Sequence, residues 1–341
     1  MMDLREFDFF LPEELIAQEP VFPRDACRLM VLWREDETIE HRIFRDIVEY
    51  LEEGDVLVFN DTKVLPARLF ARKEDTGGKV EMLFLGEREG RWECLLSSSR
   101  LRPGQILVLV EDPTFRFRVE ERGKEWWYLT PLFPCEEAKS VLSRFGHTPT
   151  PPYVKRKDVP LEAYQTVYAR VPGSVAAPTA GLHFTEELLK ALQQKGVEQV
   201  MLTLHVGLGT FRPVKTERVE DHRMHEEWFT LPEESAQKIR KAKSEGKRVV
   251  AVGTTTVRAL ESVVRKTGSI EAFSGTTDLF IYPGFSFQVV DALITNFHLP
   301  RSTLFLLVCA FGGTAFVKRA YEEAIAKRYR FYSFGDAMLI L

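Results

Sequence analysis

The sequence has few cysteines and no segment that resembles an export signal or a membrane span. Its four cysteines, Cys27, Cys94, Cys135 and Cys309, lie far apart without a C-x-x-C pair, so neither a disulfide framework nor a cysteine zinc site is predicted. The longest apolar run, 303–311, has about half of the roughly 20 residues that cross a bilayer, and the N-terminus is acidic and aromatic. We therefore expect a cytoplasmic protein that makes no membrane contact.

An excess of basic charge is also absent. The chain has 46 Lys and Arg against 50 Asp and Glu, a formal net charge of −4, so it lacks the general positive field of many nucleic-acid-binding proteins. Any RNA contact must therefore be local. With 45% apolar and 28% charged residues in a chain of 341, the composition is that of an ordinary globular protein of about two domains.

The chain shows two successive patterns of secondary structure. Between residues 55 and 130, short β-rich runs alternate with turn residues, which is typical of a sandwich or small barrel. From about residue 161, apolar strands alternate with helices, which favours a layered α/β sheet. The predicted helices are 184–196, 233–246, 256–266 and 314–329, and the predicted strands are 198–206, 248–252, 278–282 and 289–295.

The run at 55–60 has the pattern of a buried strand and precedes the β-rich region. This order predicts that the β-rich region is inserted into the α/β region. We expect a layered α/β/α sandwich formed by residues 1–64 and 150–341, with a small β-barrel domain inserted at 65–149.

A glycine and three threonines lie where a predicted strand ends and a predicted helix begins. They are Gly253, Thr254, Thr255 and Thr256, and Arg258 follows one turn into the helix. Unpaired backbone N–H groups and the helix dipole favour a carboxylate or phosphate there, and the Arg258 guanidinium could bind the same anion. Threonine is also an ordinary helix N-cap, so a simple helix start fits the pattern equally well.

Four of the seven histidines fall within about one α/β unit, together with two carboxylates. These six candidates for chemistry are His183, His205, Asp221, His222, His225 and Glu226. Histidine moves protons near neutral pH, and imidazole and carboxylate groups are also zinc ligands. The H-x-x-H spacing does not match H-E-x-x-H, and single histidines are often structural, so catalytic, zinc-binding and structural roles all stay open.

Several loops carry further candidates for ligand binding, because glycine permits close approach of the backbone and polar groups orient a ligand. These candidates are Asn60, Thr62, Arg68, Thr179, Gly181, Gly207, Gly209, Thr210 and His298. His298 lies in an aromatic-rich segment, 280–308, whose rings could stack on a purine or form ordinary core. Each of these patterns also fits a plain turn or connection.

Two basic clusters are candidates for local RNA contacts. Lys155, Arg156 and Lys157 lie in a proline-rich stretch that we expect to connect the two domains. The second cluster, within 238–248, includes Lys238, Lys241 and Arg248. A solvated helix face is the simpler explanation of the second cluster, and RNA contact is the alternative.

A series of longer strings closely resembles one known family. In chain order they are FDFFLPEELIA, VFNDTKVLPARL, LEAYQTVYA, AAPTAGLHFT, LHVGLGTFRPV, EDHRMHEE, VVAVGTTTVRALES, FIYPGF, VVDALITNFHLPRSTL and YRFYSFGDAM. Together they span residues 7–338 and resemble the S-adenosylmethionine:tRNA ribosyltransferase-isomerase family of bacterial queuosine biosynthesis. Asp61 stands where that family often has a second asparagine, which weakens any role for a side-chain amide at this position.

The resemblance implies a fold, a reaction and partners. The implied fold is a layered α/β domain with an inserted β-barrel and no metal requirement. The implied reaction transfers and isomerises the ribosyl moiety of S-adenosylmethionine onto 7-aminomethyl-7-deazaguanine at the tRNA wobble position. Epoxyqueuosine-tRNA, adenine and methionine would be the products. S-adenosylmethionine is then a substrate, and we expect no cofactor, no metal and a monomer.

This reaction would need at least two groups that handle protons. The sulfonium acidifies the ribose C5′ hydrogens, so a general base could remove one, and the departing adenine needs a general acid. We expect the four clustered histidines in these roles, with Asp221 or Glu226 orienting an imidazole. The threonine turn with Arg258 would hold the donor's carboxylate or a tRNA phosphate. The alternatives are a zinc-dependent hydrolase, a methyltransferase that uses the same donor, and a non-catalytic RNA-binding module.

Overall fold

The computed structural model describes residues 1–98, 100–207, 209 and 213–341, with 135–139 described by their backbone. The α-helices in these ranges are α1 (Cys135–Phe145), α2 (Glu186–Gln194), α3 (Glu233–Ser244), α4 (Thr254–Thr267), α5 (Thr303–Gly312) and α6 (Thr314–Ala326). The strands are β1 (Arg28–Trp33), β2 (Thr38–Ile43), β3 (Val56–Asn60), β4 (Thr62–Val64), β5 (Arg68–Lys73), β6 (Lys79–Arg88), β7 (Arg91–Leu96), β8 (Ile106–Leu109), β9 (Arg116–Arg122), β10 (Trp127–Pro131), β11 (Val171–Ser174), β12 (Glu198–Leu204), β13 (Glu227–Leu231), β14 (Val249–Val252), β15 (Phe273–Thr277), β16 (Ala292–Asn296) and β17 (Ala337–Ile340).

Within the described ranges, the larger part of the chain forms a nine-stranded sheet in the order β15-β13-β12-β3-β14-β16-β17-β1-β2. The strands β12, β3, β14 and β16 run parallel, whereas β15, β13 and β2 towards the two edges pair antiparallel. Parallel neighbours have their carboxyl ends at the same edge of the sheet. This edge, which we call the carboxyl edge, is where Asn60, Leu204, Val252 and Asn296 end their strands.

The central strands are apolar because both of their faces are covered. Every residue of β3 is buried, and its side chains alternate between two cores. Val56 and Val58 belong to the core that includes residues of α3 and α4, whereas Leu57 and Phe59 belong to the core that includes residues of α2. The layered α/β/α prediction is therefore confirmed.

The strands β5 to β10 form a closed antiparallel barrel in the order β10-β7-β6-β5-β8-β9. Their interior positions alternate with outward ones, as Leu69 and Ala71 of β5 and Val80 and Met82 of β6 show. The barrel predicted from the short β-rich runs is confirmed. The chain enters the barrel after β4 and leaves it before β11. These two short strands pair in parallel with each other, outside the nine-stranded sheet. The domain boundaries at 65 and 149 stay a prediction.

The predicted strand at 278–282 is wrong. The observed strand in this region is β15, which pairs with β13 at the sheet edge. Residues 278–282 are irregular, since the amide of Leu279 is bonded to Thr277 Oγ1 at 3.1 Å and not to a neighbouring strand. Their apolar character comes from packing on the core, where Ile281 is buried. The other predicted helices and strands are found within a few residues of their expected bounds.

The apolar run at 303–311 forms α5, most of which is buried in the core. Among the described residues, no single helix is long and apolar enough to cross a membrane. The consecutive helices α5 and α6 reach that length only as a pair bent by 115°.

Candidate functional site

Most of the polar residues predicted to bind ligands lie along the carboxyl edge of the sheet, which is where open α/β sheets bind ligands. Asn60 ends β3, His205 directly follows β12, and Gly253 directly follows β14. Thr179 reaches the same edge from a 3₁₀ turn, because its hydroxyl donates to Asn296 Oδ1 at 3.0 Å. The fold thus brings four separate segments to one place.

Asn60 is fully buried and joins three of these segments. Its Nδ2 donates to the Leu204 carbonyl at 3.0 Å and to Thr255 Oγ1 at 3.4 Å. Its Oδ1 accepts from the amides of Leu204 and Thr62, at 3.0 and 3.2 Å. Both ends of the amide are therefore engaged within the protein. The ligand-binding role predicted for Asn60 does not fit this arrangement, and we infer that it holds the site together.

His205 is a half-buried imidazole at the carboxyl edge. Its ring stacks on Trp228, with ring centroids 5.1 Å apart, and its Nδ1 lies 2.9 Å from Thr62 Oγ1. Thr62 is buried, and its hydroxyl also contacts Ser174 Oγ at 2.6 Å. Burial lowers the pKa of His205, and the Asp61 carboxylate opposes that effect without cancelling it. Thr62 therefore serves the imidazole and is not free to bind a ligand.

Asp61 is buried between polar partners. Its Oδ2 accepts from Arg170 at 2.9 Å, and its Oδ1 accepts from the Thr203 hydroxyl. These contacts use both oxygens of the carboxylate. Asp61 acts on the site through its charge, at His205, and not by direct contact with a ligand.

The threonine turn begins α4 and is buried. Gly253 has φ +93°, which favours glycine, and an added Cβ would be in ordinary contact with Ala180 of the 3₁₀ turn, at 3.6 Å. The Thr256 hydroxyl donates to the Val252 carbonyl at 2.8 Å, and Thr255 accepts from Asn60. Of the three threonines, two are thus tied to the protein, and Thr254 is the one whose side chain makes no hydrogen bond within the described residues.

Arg258 is 2% exposed and is not a surface arginine. Its Nη2 donates to Glu227 Oε1, and Glu227 Oε2 accepts from the Gly207 amide at 2.8 Å. The ion pair therefore links α4 to the loop after β12. Nε and Nη1 of Arg258 are buried and have no acceptor in the part of the chain that the structure describes. Two donors of a buried guanidinium are left for an anion to satisfy.

His225 contacts the inserted barrel, and His222 precedes it closely in the chain. His222 is half-buried with its ring edge-to-face against Phe280, and burial, with a smaller contribution from His225, lowers the pKa of His222. His225 Nε2 is 3.1 Å from a carboxylate oxygen of Glu125, in the turn between β9 and β10. Gly209 lies against the His225 ring, so the chain after β12 reaches the histidine that contacts the barrel.

Two predicted acidic partners do not orient these imidazoles. Asp221 and Glu226 are exposed, and the one side-chain contact recorded for them in the described residues is between Glu226 and the Thr276 hydroxyl, at 3.5 Å. The acidic residue that faces the site is Glu227. The prediction for Thr210 falls on a residue outside the described ranges.

His183 ends the same 3₁₀ turn as Thr179 and is buried. Its two ring nitrogens lie 3.0 and 2.9 Å from the carbonyl oxygens of Ala180 and Gly335, and its ring packs on Phe44. Burial lowers the pKa of His183, although the two carbonyls oppose this. A carbonyl oxygen only accepts, so the single N–H of the neutral ring donates to one of these two carbonyls. The catalytic role predicted for His183 stays a prediction.

His298 lines a small cavity of about 30 Å³ next to Thr179 and Asn296. Its Nε2 contacts Thr295 Oγ1 at 2.7 Å, and burial lowers its pKa to about 3. Tyr153 and Tyr332 form part of the same wall, with ring centroids 4.6 Å apart. The prediction that His298 binds substrate stays untested, and its imidazole is held neutral.

Gly181 and Arg68 have structural roles. A Cβ at Gly181 would lie 1.9 Å from the Tyr168 hydroxyl, so the glycine permits close packing of the protein on itself. Arg68 Nη2 donates to the Thr150 carbonyl at 2.8 Å, and its Nε lies 3.0 Å from Glu81. Arg68 therefore fastens the barrel to the segment that leaves it. The ligand-binding roles predicted for both residues stay predictions.

The two basic clusters lie in different places. Lys155, Arg156 and Lys157 are on the segment that leaves the barrel, where each pairs with an exposed or half-buried carboxylate. Lys238, Lys241 and Arg248 lie towards the opposite edge of the sheet. Lys238 pairs with Glu198 at the start of β12, and Arg248 binds Asp55, just before β3, at 2.7 Å. The second cluster is therefore remote from the site, and Arg248 has a structural role.

Among the described residues, no group of three or more His, Cys, Asp or Glu side chains is arranged to hold a metal ion. The zinc site left open by the histidine spacing therefore has no counterpart in these ranges.

Comparison with known proteins identifies the family. Residues 4–340 match the model of a family described as queuosine biosynthesis protein. The chain belongs to this family. It is 55% identical to the S-adenosylmethionine:tRNA ribosyltransferase-isomerase of Thermotoga maritima and 52% identical to that of Aquifex aeolicus, with 100% of both chains covered in each case.

A solved structure supports the same assignment. The crystal structure of the S-adenosylmethionine tRNA ribosyltransferase from Thermotoga maritima matches with a TM-score of 0.58 and 44% sequence identity, covering 98% of this chain and 100% of that one. The resemblance drawn from the sequence strings is confirmed. This member of the queuosine-biosynthesis family is an enzyme, a transferase and isomerase of tRNA modification.

Several residues that build the site in this queuosine-biosynthesis enzyme were missed by sequence reasoning. They are Gly173, Ser174, Glu227 and Trp228. Glu227 is the last residue of the string EDHRMHEE, so the string that carried the resemblance contained that signal. Ser174 lies two residues before the next recognisable string and carries no motif of its own. Its role depends on β11 lying beside β4, which the local sequence does not reveal.

Proposed function

We propose that this enzyme transfers and isomerises the ribosyl moiety of S-adenosylmethionine onto 7-aminomethyl-7-deazaguanine at the wobble position of tRNA. The products are epoxyqueuosine-tRNA, adenine and methionine. S-adenosylmethionine is a substrate in this scheme, no cofactor takes part, and the enzyme acts as a monomer. Membership of the ribosyltransferase-isomerase family supports the proposal.

The observation that carries the proposal is that a histidine and an anion-binding helix start lie together at the carboxyl edge. His205, an imidazole of lowered pKa, lies beside a helix start that has a buried arginine with two unsatisfied donors. The donor molecule carries a carboxylate, which suits the arginine and the helix start. It also carries a sulfonium whose neighbouring C5′ hydrogens are acidic, which suits chemistry by neutral imidazoles.

Proton handling is assigned to His205, His222 and His225. Burial lowers the pKa of His205 and His222, so both are mainly neutral near pH 7. A neutral imidazole offers one lone pair and one N–H, the two properties needed for removing a C5′ proton and for assisting the loss of adenine. Gly207 follows His205 closely in the chain and donates its amide to Glu227, and Gly209 lies against the His225 ring.

The donor's carboxylate is assigned to Arg258 and the turn at 253–256. The Glu227 carboxylate balances the charge of Arg258, so an anion here would be held mainly by directed hydrogen bonds from Nε and Nη1. Thr254 lies one helical turn before Arg258 on the same side of α4 and adds a hydroxyl.

A wobble base lies in a single-stranded loop and can be splayed out without opening a duplex. Phosphate contacts are assigned to the basic segment at 155–157. Its ion pairs are on the surface and contribute little, so these side chains can exchange carboxylates for phosphates.

Product identification tests the proposed reaction. The enzyme is incubated with S-adenosylmethionine and tRNA that carries the aminomethyl base, and the small molecules and the digested tRNA are analysed by mass spectrometry. Equal amounts of adenine and methionine, with epoxyqueuosine in the tRNA, are expected. Release of S-adenosylhomocysteine would show a methyltransferase instead, and tRNA binding without donor turnover would show a binding module.

A further inference from the structure

Three hydrogen bonds run in series from the backbone of Val206 to the ring of His205. The Val206 amide donates to Ser174 Oγ at 2.8 Å. Ser174 Oγ lies 2.6 Å from Thr62 Oγ1, and Thr62 Oγ1 lies 2.9 Å from His205 Nδ1. Ser174 and Thr62 are both 0% exposed, so no bulk water completes their hydrogen bonding.

Only one direction of this series uses every hydrogen. If His205 Nδ1–H donated to Thr62, Thr62 would donate to Ser174, and the Ser174 hydroxyl hydrogen would have no acceptor in the described part of the chain. A buried hydroxyl without an acceptor is disfavoured. In the opposite direction, Ser174 donates to Thr62 and Thr62 donates to Nδ1. Every hydrogen is then used, and the ring proton must be on Nε2.

The surroundings of the ring leave Nε2 available. Trp228 stacks at 5.1 Å, and the missing Cβ of Gly173 would lie 2.6, 2.6 and 2.9 Å from Cε1, Nε2 and Cδ2. Such similar distances place Gly173 over the ring and not at its edge. Nε2 has no hydrogen-bond partner within the described residues, and the side chain is only half-buried. An Nε2–H group here is therefore free to donate to a bound molecule.

We propose that Ser174 and Thr62 are positioning residues that hold His205 as the Nε2–H tautomer, and that His205 donates a hydrogen bond to the departing adenine. His205 is then not the base that removes the C5′ proton, because its lone pair on Nδ1 is engaged by Thr62. The tautomer follows from the structure alone, whereas the contact with adenine rests on the proposed function.

In the loss of adenine, charges and protons balance while His205 keeps the same protonation state throughout. As the C1′–N9 bond of the donor breaks, its electron pair moves onto adenine, and the hydrogen bond from Nε2 strengthens with that charge. His205 keeps its proton, since losing it would leave an imidazolate. The proton that adenine finally gains balances the proton that the general base removes from C5′. That base is then His222 or His225.

Nitrogen NMR of the free enzyme tests the tautomer. The protein is labelled with ¹⁵N-histidine, the His205 signals among the seven histidines are assigned with His205→Gln, and spectra are recorded at about pH 8.5, well above the ordinary histidine pKa. We expect Nε2 to show the shift of a protonated nitrogen and Nδ1 that of an unprotonated one. The reverse pattern in the wild type would overturn the proposal.

Two variants of Thr62 connect the tautomer to the reaction. Thr62→Val removes the hydroxyl with little change of shape, and Thr62→Ser keeps it. We expect Thr62→Val to convert the His205 signals to a mixture of tautomers and to lower kcat by about tenfold or more with little change in donor KM, and Thr62→Ser to restore both. A shifted tautomer with unchanged kcat would overturn the role toward adenine.

The two proposals can fail separately. If the wild-type spectrum shows the Nε2–H form but the assay yields no adenine, the tautomer stands and the proposed function fails. If adenine and epoxyqueuosine-tRNA form but the spectrum shows Nδ1–H, the function stands and the inference about His205 is overturned.

Discussion

The imidazole of His205 is held between the ring of Trp228 and the backbone of Gly173, with Thr62 at one nitrogen. None of these neighbours is adjacent to it in sequence. Each of them restricts a different freedom of the side chain: the two faces fix its plane, and the hydroxyl fixes its proton. Substitution of one of these three neighbours should therefore affect catalysis more than folding.

Gly173→Ala should displace the His205 ring, because the added Cβ would lie 2.6 Å from two of its atoms. A misplacement of about 1 Å at a reacting group costs about 100-fold in rate, and we expect a fall in kcat of that order. Gly284→Ala is the matched control, since it also places a side chain at positive φ, at +102°, but its Cβ would meet nothing within 4 Å. Steady-state kinetics of adenine release measure both variants. Normal kcat in Gly173→Ala would contradict the packing role.

Arg258→Lys keeps a positive charge for Glu227 but removes the planar fork with its two unsatisfied donors. We expect donor KM to rise about tenfold, about 1.4 kcal/mol, because the donor's carboxylate loses directed hydrogen bonds. Arg248→Lys is the control, as it weakens a similar arginine–carboxylate pair at the opposite edge of the sheet. The assignment of Arg258 fails if the two variants have the same donor KM.

At the scale of elements, the junction of β14 and α4 positions the threonine turn. Gly253 joins them with φ +93°, and Asn60 at the end of β3 binds the turn from the neighbouring strand. A second glycine, Gly313, begins α6 with φ +89° and lies far along the chain from any predicted site residue. The same backbone geometry thus occurs at one helix start in the site and at one outside it.

Gly253→Ala and Gly313→Ala should therefore destabilise the fold similarly, by about 1–3 kcal/mol each, because both force a side chain into a positive-φ conformation that is essentially restricted to glycine. Only Gly253→Ala should also raise donor KM, since it moves the turn that we assign to the donor's carboxylate. Urea unfolding and donor kinetics measure the two effects. An equal change in KM for both variants would show that the turn at 253 has no special part in binding.

At the scale of the whole molecule, buried histidines link stability to pH. Burial lowers the pKa of His183, His205, His222 and His298 below the ordinary value of 6.5, and that of His298 to about 3. The unfolded chain therefore binds more protons than the folded one below about pH 6.5, and the free energy of unfolding falls as the pH decreases.

His298→Gln should remove one of the groups that gain a proton when the protein unfolds at acidic pH. Between pH 6 and 4 the free energy of unfolding of the wild type should fall more steeply than that of the variant, by about 1.4 kcal/mol per pH unit. Urea titrations at several pH values give both slopes, and the difference in slope is the test because the variant changes absolute stability as well. Parallel slopes would mean that His298 is not held neutral by burial.

Binding of tRNA should weaken with salt, because local lysines and arginines displace counterions from phosphates. Lys157→Ala, on the segment that leaves the barrel, should reduce the slope of log affinity against log salt by about one. Lys238→Ala, near the opposite edge of the sheet, should leave it unchanged. Filter binding over a range of salt concentrations measures the slopes. A larger change for Lys238→Ala would place the RNA on the other side of the molecule.

Much of the fold could be predicted because its signals are local. The buried run that became β3, the threonine turn at the start of α4 and the short barrel strands each follow from apolar periodicity and turn residues. The strand misplaced at 278–282 shows the limit, since an apolar run in an irregular segment looks like a strand until its backbone partners are known. At the site, His205, Thr254 and Arg258 were found because their residue types suggest chemistry.

The sequence by itself determined the two-part architecture, the family and the residue types available for chemistry, since these depend on patterns within short stretches of chain. Only the tertiary structure decided which of those residues act together. It placed His183 in the core, tied Asn60 and Thr62 to neighbouring segments, and paired Arg258 with Glu227. The physical reason is that hydrogen-bond partners and burial depend on which strands become neighbours, and strand order is set by contacts distant in sequence.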